Sequence, residues 1–209
     1  MNKTLLAFCL LFATTSTITL AARTIDIVIS QESWELRPGL KTTVWAYNKT
    51  VPGPSIFVQP NEQLVINIAN KLPVTTNIHW HGVKVPNDQD GPGIAIAPGK
   101  SFSYHFAAPE SGTFWYHSHE APVLTQMDMG LYGAFIVNAK EDALYSSDRT
   151  FVLDDWYLDS QGRRRGGTAR DGMERLGNIE TVNGKTGIAI QPLLVKSGEL
   201  HKLRLRRAQ

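Results

Sequence analysis

The sequence predicts an all-β protein, built as an antiparallel β-sandwich or barrel. Apolar and β-branched residues alternate with polar ones over short runs, and Pro and Gly separate these runs at roughly the 8–12-residue spacing typical of such folds. No stretch has the periodicity of an amphipathic helix. The 209 residues allow one large domain, or one complete domain and part of another.

The N-terminal residues predict a signal peptide over 1–21. Lys3 supplies a positive charge, residues 5–13 form an apolar run, and Thr19-Leu20-Ala21 offers small side chains for cleavage after Ala21 or Ala22. The apolar run is shorter than the ~20 residues that a membrane span needs, and no later segment approaches that length. We therefore expect export, to the periplasm or as a secreted protein, without a transmembrane anchor.

Charge and cysteine content narrow the function classes. The formal net charge is +2, and it falls to +1 without Lys3, so we expect no nucleic-acid partner. The basic clusters at 163–165 and 204–207 are interpreted as solvated surface. The only cysteine, Cys9, lies in the predicted signal peptide, so the mature chain has no disulfide, thiolate nucleophile or sulfur ligand.

The first domain is predicted over residues 22–140. Val51-Pro52-Gly53-Pro54 is predicted to be a turn or a polyproline-like crossing, because two prolines and a glycine deny it a central strand. Residues 85–93 are too polar and too rich in Gly and Pro to be core. The predicted strands cover residues 24–29, 42–47, 63–69, 77–80, 101–106, 113–119 and 131–137.

The remaining residues predict the beginning of a second domain. Residues 141–149 are polar and acidic and are interpreted as a linker. Strands are predicted at 150–158, 192–196 and 200–205, with an Asn183-Gly184 turn between the first two and a long loop at 161–177. So few strands cannot readily close a sandwich, so residues 150–209 are predicted to form a partial domain.

Two histidine pairs stand out, His79-Trp80-His81 and His117-Ser118-His119. Successive side chains of a strand point to opposite faces, so each pair places both imidazoles on one side of its strand. If the two strands are neighbours, four rings converge. Imidazole suits copper, zinc, iron and nickel, so the pairs predict a metal site whose metal the spacing leaves open.

Six separated motifs follow one another along the chain. They are Val51-Pro52-Gly53-Pro54, His79-Trp80-His81-Gly82, Asp90-Gly91-Pro92, Pro98-Gly99, the segment 112–119, and Gly130-Leu131-Tyr132-Gly133-Ala134. Together they resemble the first cupredoxin domain of the multicopper oxidases, a family that includes laccases, ascorbate oxidases and bacterial copper-resistance oxidases. The resemblance covers roughly residues 24–138, and Asn183-Gly184-Lys185 with residues 195–205 is similar to the opening of the family's second domain. It implies a cupredoxin-like Greek-key β-sandwich followed by an incomplete second cupredoxin domain.

The resemblance implies that these histidines supply half of a trinuclear copper cluster. His79 then corresponds to a type 2 copper ligand, His81 and His117 to ligands of one type 3 copper, and His119 to a ligand of the other. Asp90 corresponds to a catalytic carboxylate that passes protons near the type 2 copper, although an Asp-Gly turn residue is an equal alternative. Three aromatic residues are expected to wall the site and orient the rings. They are Trp80, Trp115 and Tyr116.

The family also has a cysteine-ligated type 1 copper and further cluster histidines in its last domain, and this sequence contains neither. We therefore expect a C-terminally truncated multicopper oxidase, whose partners are copper ions and a missing C-terminal cupredoxin domain. The full-length enzyme would also take oxygen and a reducing substrate. It would oxidise phenols or metal ions by one electron and reduce oxygen to water, and this chain alone is expected to be inactive. The alternative is a non-catalytic copper-binding or copper-tolerance protein.

Overall fold

The computed structural model describes residues 21–164 and 177–208. The predicted signal peptide, apart from Ala21, and most of the predicted 161–177 loop lie outside these residues. Within the described ranges, no helix is long and apolar enough to cross a membrane. The one α-helix described there, α1 (Val123–Asp128), is a short turn that follows the second histidine pair.

Eleven strands are the main regular structure of the described residues. Short 3₁₀ helices lie at Asn87–Gln89, Lys140–Leu144 and Gly187–Ala189. In chain order the strands are β1 (Arg23–Arg37), β2 (Leu40–Tyr47), β3 (Gly53–Val58), β4 (Gln63–Asn70), β5 (His79–His81), β6 (Ser101–Ala107), β7 (Gly112–His117), β8 (Tyr132–Val137), β9 (Ser147–Trp156), β10 (Ile179–Val182) and β11 (His201–Arg207).

The first eight strands form two four-stranded sheets, ordered β2-β1-β4-β6 and β3-β8-β7-β5. Alternate residues of these strands, such as Ile66, Trp80 and Phe135, fill one continuous apolar core. The predicted all-β class is therefore confirmed. The predicted antiparallel pairing is found for four strand pairs of these sheets and is wrong for two, because β1 pairs with β4, and β3 with β8, in parallel. Alternation specifies the buried face of a strand and carries no information on its direction.

The last three strands form a third sheet, ordered β10-β9-β11. One face of it packs on the outer face of the β3-β8-β7-β5 sheet, where Val152 and Trp156 share a second apolar core with Trp115 and Tyr132. The other face leaves Leu205 exposed. The predicted strand at 192–196 is absent, and β10 lies earlier in the chain.

The predicted linker has regular structure. It contains most of the Lys140–Leu144 3₁₀ helix, and β9 already begins at Ser147. Asp142 and Asp148 accept hydrogen bonds from the Arg204 guanidinium at 2.7 and 2.6 Å, and Arg204 also donates to the Thr113 hydroxyl at 2.8 Å. This network ties β11 to β7. The interpretation of the 204–207 cluster as solvated surface is wrong for Arg204, which is 5% exposed.

Candidate metal centre

Strands β5 and β7 are antiparallel neighbours at one edge of their sheet. His79 faces His117, and His81 faces Trp115 in the register. The neighbouring strands therefore bring His79, His81 and His117 to one face, as the sequence predicts, and alternation turns Trp80 the other way. The predicted strand at 113–119 ends at His117, and His119 lies two residues beyond it.

The four imidazoles form one cluster with His79 at its centre. The ring of His79 lies 5.5 Å from that of His81, 5.2 Å from that of His117 and 5.3 Å from that of His119, measured between centroids. Ligand nitrogens of His79, His81 and His117 all lie within 4.8 Å of one another. His119, which is exposed, lies beside this group of three, with its ring 6.2 Å from that of His117.

Backbone carbonyls determine which ring nitrogen of His79 and of His117 is free to bind a metal. The Nδ1 atoms of His79 and His117 lie 2.9 Å from the carbonyl oxygen of Asp90 and 2.8 Å from that of Ser118, respectively. A carbonyl oxygen only accepts, so each Nδ1 carries the hydrogen, and in the neutral ring Nε2 keeps its lone pair. This is the arrangement in which metal-binding histidines are held by a second group.

The His81 and His117 nitrogens point at each other. Nδ1 of His81 lies 3.3 Å from Nε2 of His117. One ion can contact both, because metal–imidazole bonds are about 2.0–2.1 Å long for zinc and two such bonds span this separation. An all-nitrogen donor set suits copper, which imidazole binds strongly in the Irving–Williams order. The residues present therefore fit a copper site.

Two of these histidines are biased toward the neutral form that binds metal. Burial lowers the pKa of His117 to about 4; the hydrogen bond with Ser118 opposes the shift, and the neighbouring imidazoles add to it. Burial also lowers the pKa of His81, and the charges of His79 and Arg206 lower it further. Both rings are thus neutral at physiological pH.

The loop that carries Asp90 lies directly against β5. Asp90 Oδ1 lies 3.0 Å from Nδ1 of His79, so the carboxylate and the carbonyl of one residue both face that ring. The next residue must be glycine, because a Cβ at Gly91 would lie 2.5 Å from the Ile78 carbonyl oxygen, and its φ is +95°. The structure therefore brings Asp90 to the histidine cluster.

Asn77 is a buried residue at this site that the sequence analysis missed. Its side-chain amide donates to the carbonyls of Gly91 and Ile94 at 2.9 and 3.0 Å, and its Oδ1 accepts the backbone N–H of His119 at 2.7 Å. One side chain therefore holds both the Asp90 loop and the end of the second histidine pair. Its position two residues before the candidate ligand His79 was the only signal in the sequence.

Only one of the three aromatic residues that were expected to line the site faces the histidines. The Trp115 ring lies 4.2 Å from that of His117 and 4.9 Å from that of His81. Trp80 and Tyr116 instead point into the first core, because each lies on the opposite face of its strand. For these two residues the expectation was wrong.

Comparisons with known proteins show the family of the chain. A family profile described as "Multicopper oxidase" matches residues 28–142, more than half of the chain, which therefore belongs to the multicopper oxidase family. The chain is 40% identical to Multicopper oxidase MmcO of Mycobacterium tuberculosis over 114 residues, 53% of this chain and 22% of that protein. It is 36% identical to Copper resistance protein A of Pseudomonas syringae pv. tomato over 124 residues, 56% of this chain and 20% of that protein.

A solved multicopper oxidase from Pseudomonas thermotolerans superposes with a TM-score of 0.78 at 30% identity, over 90% of this chain and 47% of that one. The cupredoxin-like fold is thereby confirmed. The chain spans about a fifth of the length of the two curated relatives and about half of this solved structure.

Proposed function

We propose that this chain provides half of the trinuclear copper cluster of an exported multicopper oxidase. The observation that carries the proposal is the convergence of four imidazoles on one sheet edge, two of them with Nδ1 hydrogen-bonded to a carbonyl and Nε2 left free. Bound copper would supply the redox chemistry, taking single electrons from a phenol or a metal ion and delivering them to oxygen, which is reduced to water.

Each histidine has a proposed place in this cluster. His79 is the type 2 ligand, His81 and His117 share one type 3 copper, and His119 binds the other. The facing nitrogens of His81 and His117 support their assignment to one ion. The separate position of His119, outside the group of three, supports its assignment to another.

Asp90 is proposed to hold and move a proton beside His79. Its carboxylate lies within hydrogen-bond distance of the His79 ring and is partly exposed, so it can exchange protons with solvent. A carboxylate in this position orients the ring and can deliver protons to oxygen as it is reduced. The remaining cluster histidines and the cysteine-ligated copper would come from a further cupredoxin domain.

A copper-holding protein without turnover is the second candidate. It is favoured by the observation that this chain alone brings the four histidines together. One relative of this chain is named Copper resistance protein A.

Copper titration of the wild type beside a His81→Ala, His117→Ala double variant tests both candidates. We expect the double variant to lose most copper uptake and His105→Ala, which alters an exposed histidine on β6, to keep it. Equal uptake by all three proteins would contradict every copper function. Oxygen consumption then tests whether a further domain is needed: the isolated chain is expected to be inactive as an oxidase under both candidates, and robust turnover would contradict the second candidate and show that this chain needs no further domain.

A further inference from the structure

An arginine of the third sheet, Arg206, packs on a tryptophan that contacts the histidine site. The guanidinium carbon of Arg206 lies 4.6 Å from the centre of the Trp115 ring. Trp115 in turn contacts the rings of His117 and His81. The indole is therefore one layer of a stack that joins a cation from β11 to two candidate copper ligands.

The fold fixes Arg206 in this place. Arg206 pairs with Val152 in the parallel ladder of β11 and β9, near the C-terminal end of the edge strand β11. Two residues earlier on the same face, Arg204 is anchored to Thr113, which lies two residues before Trp115 on β7. The two arginines thus follow the same face of β7, and alternation turns Leu205 and Arg207 to the exposed side.

The contact depends on stacking rather than on hydrogen bonds. Within the described residues, Nε of Arg206 and Nε1 of Trp115 are buried and have no hydrogen-bond partner. A planar guanidinium stacks on an aromatic face in a way that an ammonium group does not. Besides its neighbours in the second apolar core, the indole therefore contacts Arg206 and the imidazoles of His81 and His117.

We propose that Arg206 is a positioning residue for the copper site, which holds the Trp115 ring against His81 and His117. The role rests on the proposed function. It makes the geometry of ligands in the first domain depend on a strand more than 80 residues further along the chain. It also keeps water from the outer side of the His81–His117 pair.

Arg206→Lys in the full chain tests this, because it keeps the positive charge and removes the planar stack. The matched control is Arg207→Lys, the same change on the exposed face of the same strand. Two quantities are measured: copper affinity by competition with a chromophoric chelator, and exchange of indole N–H protons with water by NMR, with Trp115 assigned through Trp115→Phe. The indole of Trp156, which donates to Asp154 at 2.7 Å, reports whether the third sheet stays docked.

We expect Arg206→Lys to weaken copper binding by about two- to fivefold, the size of an ordinary cation–π contact. Exchange of the Trp115 indole N–H with water should become faster in Arg206→Lys, while exchange of the Trp156 indole should not change. Arg207→Lys should match the wild type in both measurements. Unchanged affinity and exchange in Arg206→Lys would overturn the proposal, as would a general shift that includes Trp156. A wild type that binds no copper would instead refute the proposed function itself, whereas wild-type binding without loss in Arg206→Lys refutes only the role of Arg206.

Discussion

Asp90 approaches the Nδ1 atom of His79 with two oxygens, its carbonyl at 2.9 Å and its carboxylate at 3.0 Å. The carbonyl alone can set the tautomer of the ring, so the carboxylate adds orientation and negative charge. Second groups of this kind typically contribute about 10–100-fold to metal affinity or activity.

We therefore expect Asp90→Ala to weaken copper binding by about tenfold, at the lower end of that range, because the carbonyl contact remains. Copper competition titration measures the effect. Asp88→Ala, an exposed change two residues earlier in the same loop, is the control and should bind as the wild type does. If both variants bind copper equally well, Asp90 is only a turn residue.

Gly91 allows this loop to touch β5, and a pair of glycine variants can show it. Gly91 and Gly93 have similar positive φ values of +95° and +85°, but only a Cβ at Gly91 meets backbone, at Ile78 and His79. Gly93→Ala should cost about 1 kcal/mol of unfolding free energy through backbone strain alone. Gly91→Ala should cost about 1–3 kcal/mol more through overpacking, and should also weaken copper binding.

Urea unfolding and copper titration of the two variants separate strain from steric displacement. A Gly91→Ala protein that matches Gly93→Ala in both measurements would show that the loop can shift without disturbing His79. The prediction of close contact would then fail.

Asn77→Ala should be strongly destabilising for its size. At a residue that is 1% exposed, it removes the hydrogen bonds to the Ile94 carbonyl and from the His119 N–H, and one of the two to the Gly91 carbonyl, which still accepts from the Ile94 N–H. Each buried group left unsatisfied costs about 1–3 kcal/mol, so we expect a total loss of about 2–4 kcal/mol after water reaches some of them. Asn87→Ala, at an exposed position, is the control in urea unfolding and should change stability by less than about 0.5 kcal/mol.

Asn77, Arg204 and Arg206 mark the limit of what the sequence could predict. The histidine pairs were recognisable because their two-residue spacing matches the period of a strand, and the strand itself carries them to one face. Asn77 acts through backbone groups that are 14 to 42 residues away in the chain, so no local pattern identifies its partners. Arg204 appeared to be solvated because its acidic partners lie 56 and 62 residues earlier, and only the parallel pairing of β11 with β9 brings them together.

A second buried ionic group lies where the third sheet meets β8. Asp154 accepts from the Tyr132 hydroxyl at 2.5 Å and from the Trp156 indole at 2.7 Å, and Arg164 approaches it at 3.3 Å while stacking on Trp156. Burial raises the pKa of Asp154 despite these partners, and burial lowers the pKa of Arg164. Desolvation thus opposes the charged form of both side chains.

Asp154→Ala should therefore cost about 3–5 kcal/mol, because Arg164 would be left as an unpaired buried charge. The double variant Asp154→Leu, Arg164→Met should recover much of this loss, since apolar replacement of a buried pair is often close to neutral. Urea unfolding of both proteins checks the prediction. A double variant less stable than Asp154→Ala would show that the pair is net stabilising.

Acid should loosen the attachment of β11 through Asp142. Burial alone would raise the pKa of this carboxyl, but the hydrogen bonds from Lys202 and the Ala139 backbone, and the charge of Arg204, hold the pKa below 3.8. A carboxyl whose pKa is depressed by folding stabilises the fold above its unfolded pKa, and this contribution is lost as the pH falls through the folded pKa. The stability that Asp142 confers should therefore be complete above about pH 4 and should disappear below that.

Asp142→Asn, compared with the wild type by urea unfolding across this range, isolates the effect from other carboxyls. The two proteins should differ most at neutral pH and converge in acid; a difference that is constant with pH would mean that Asp142 acts through its shape alone.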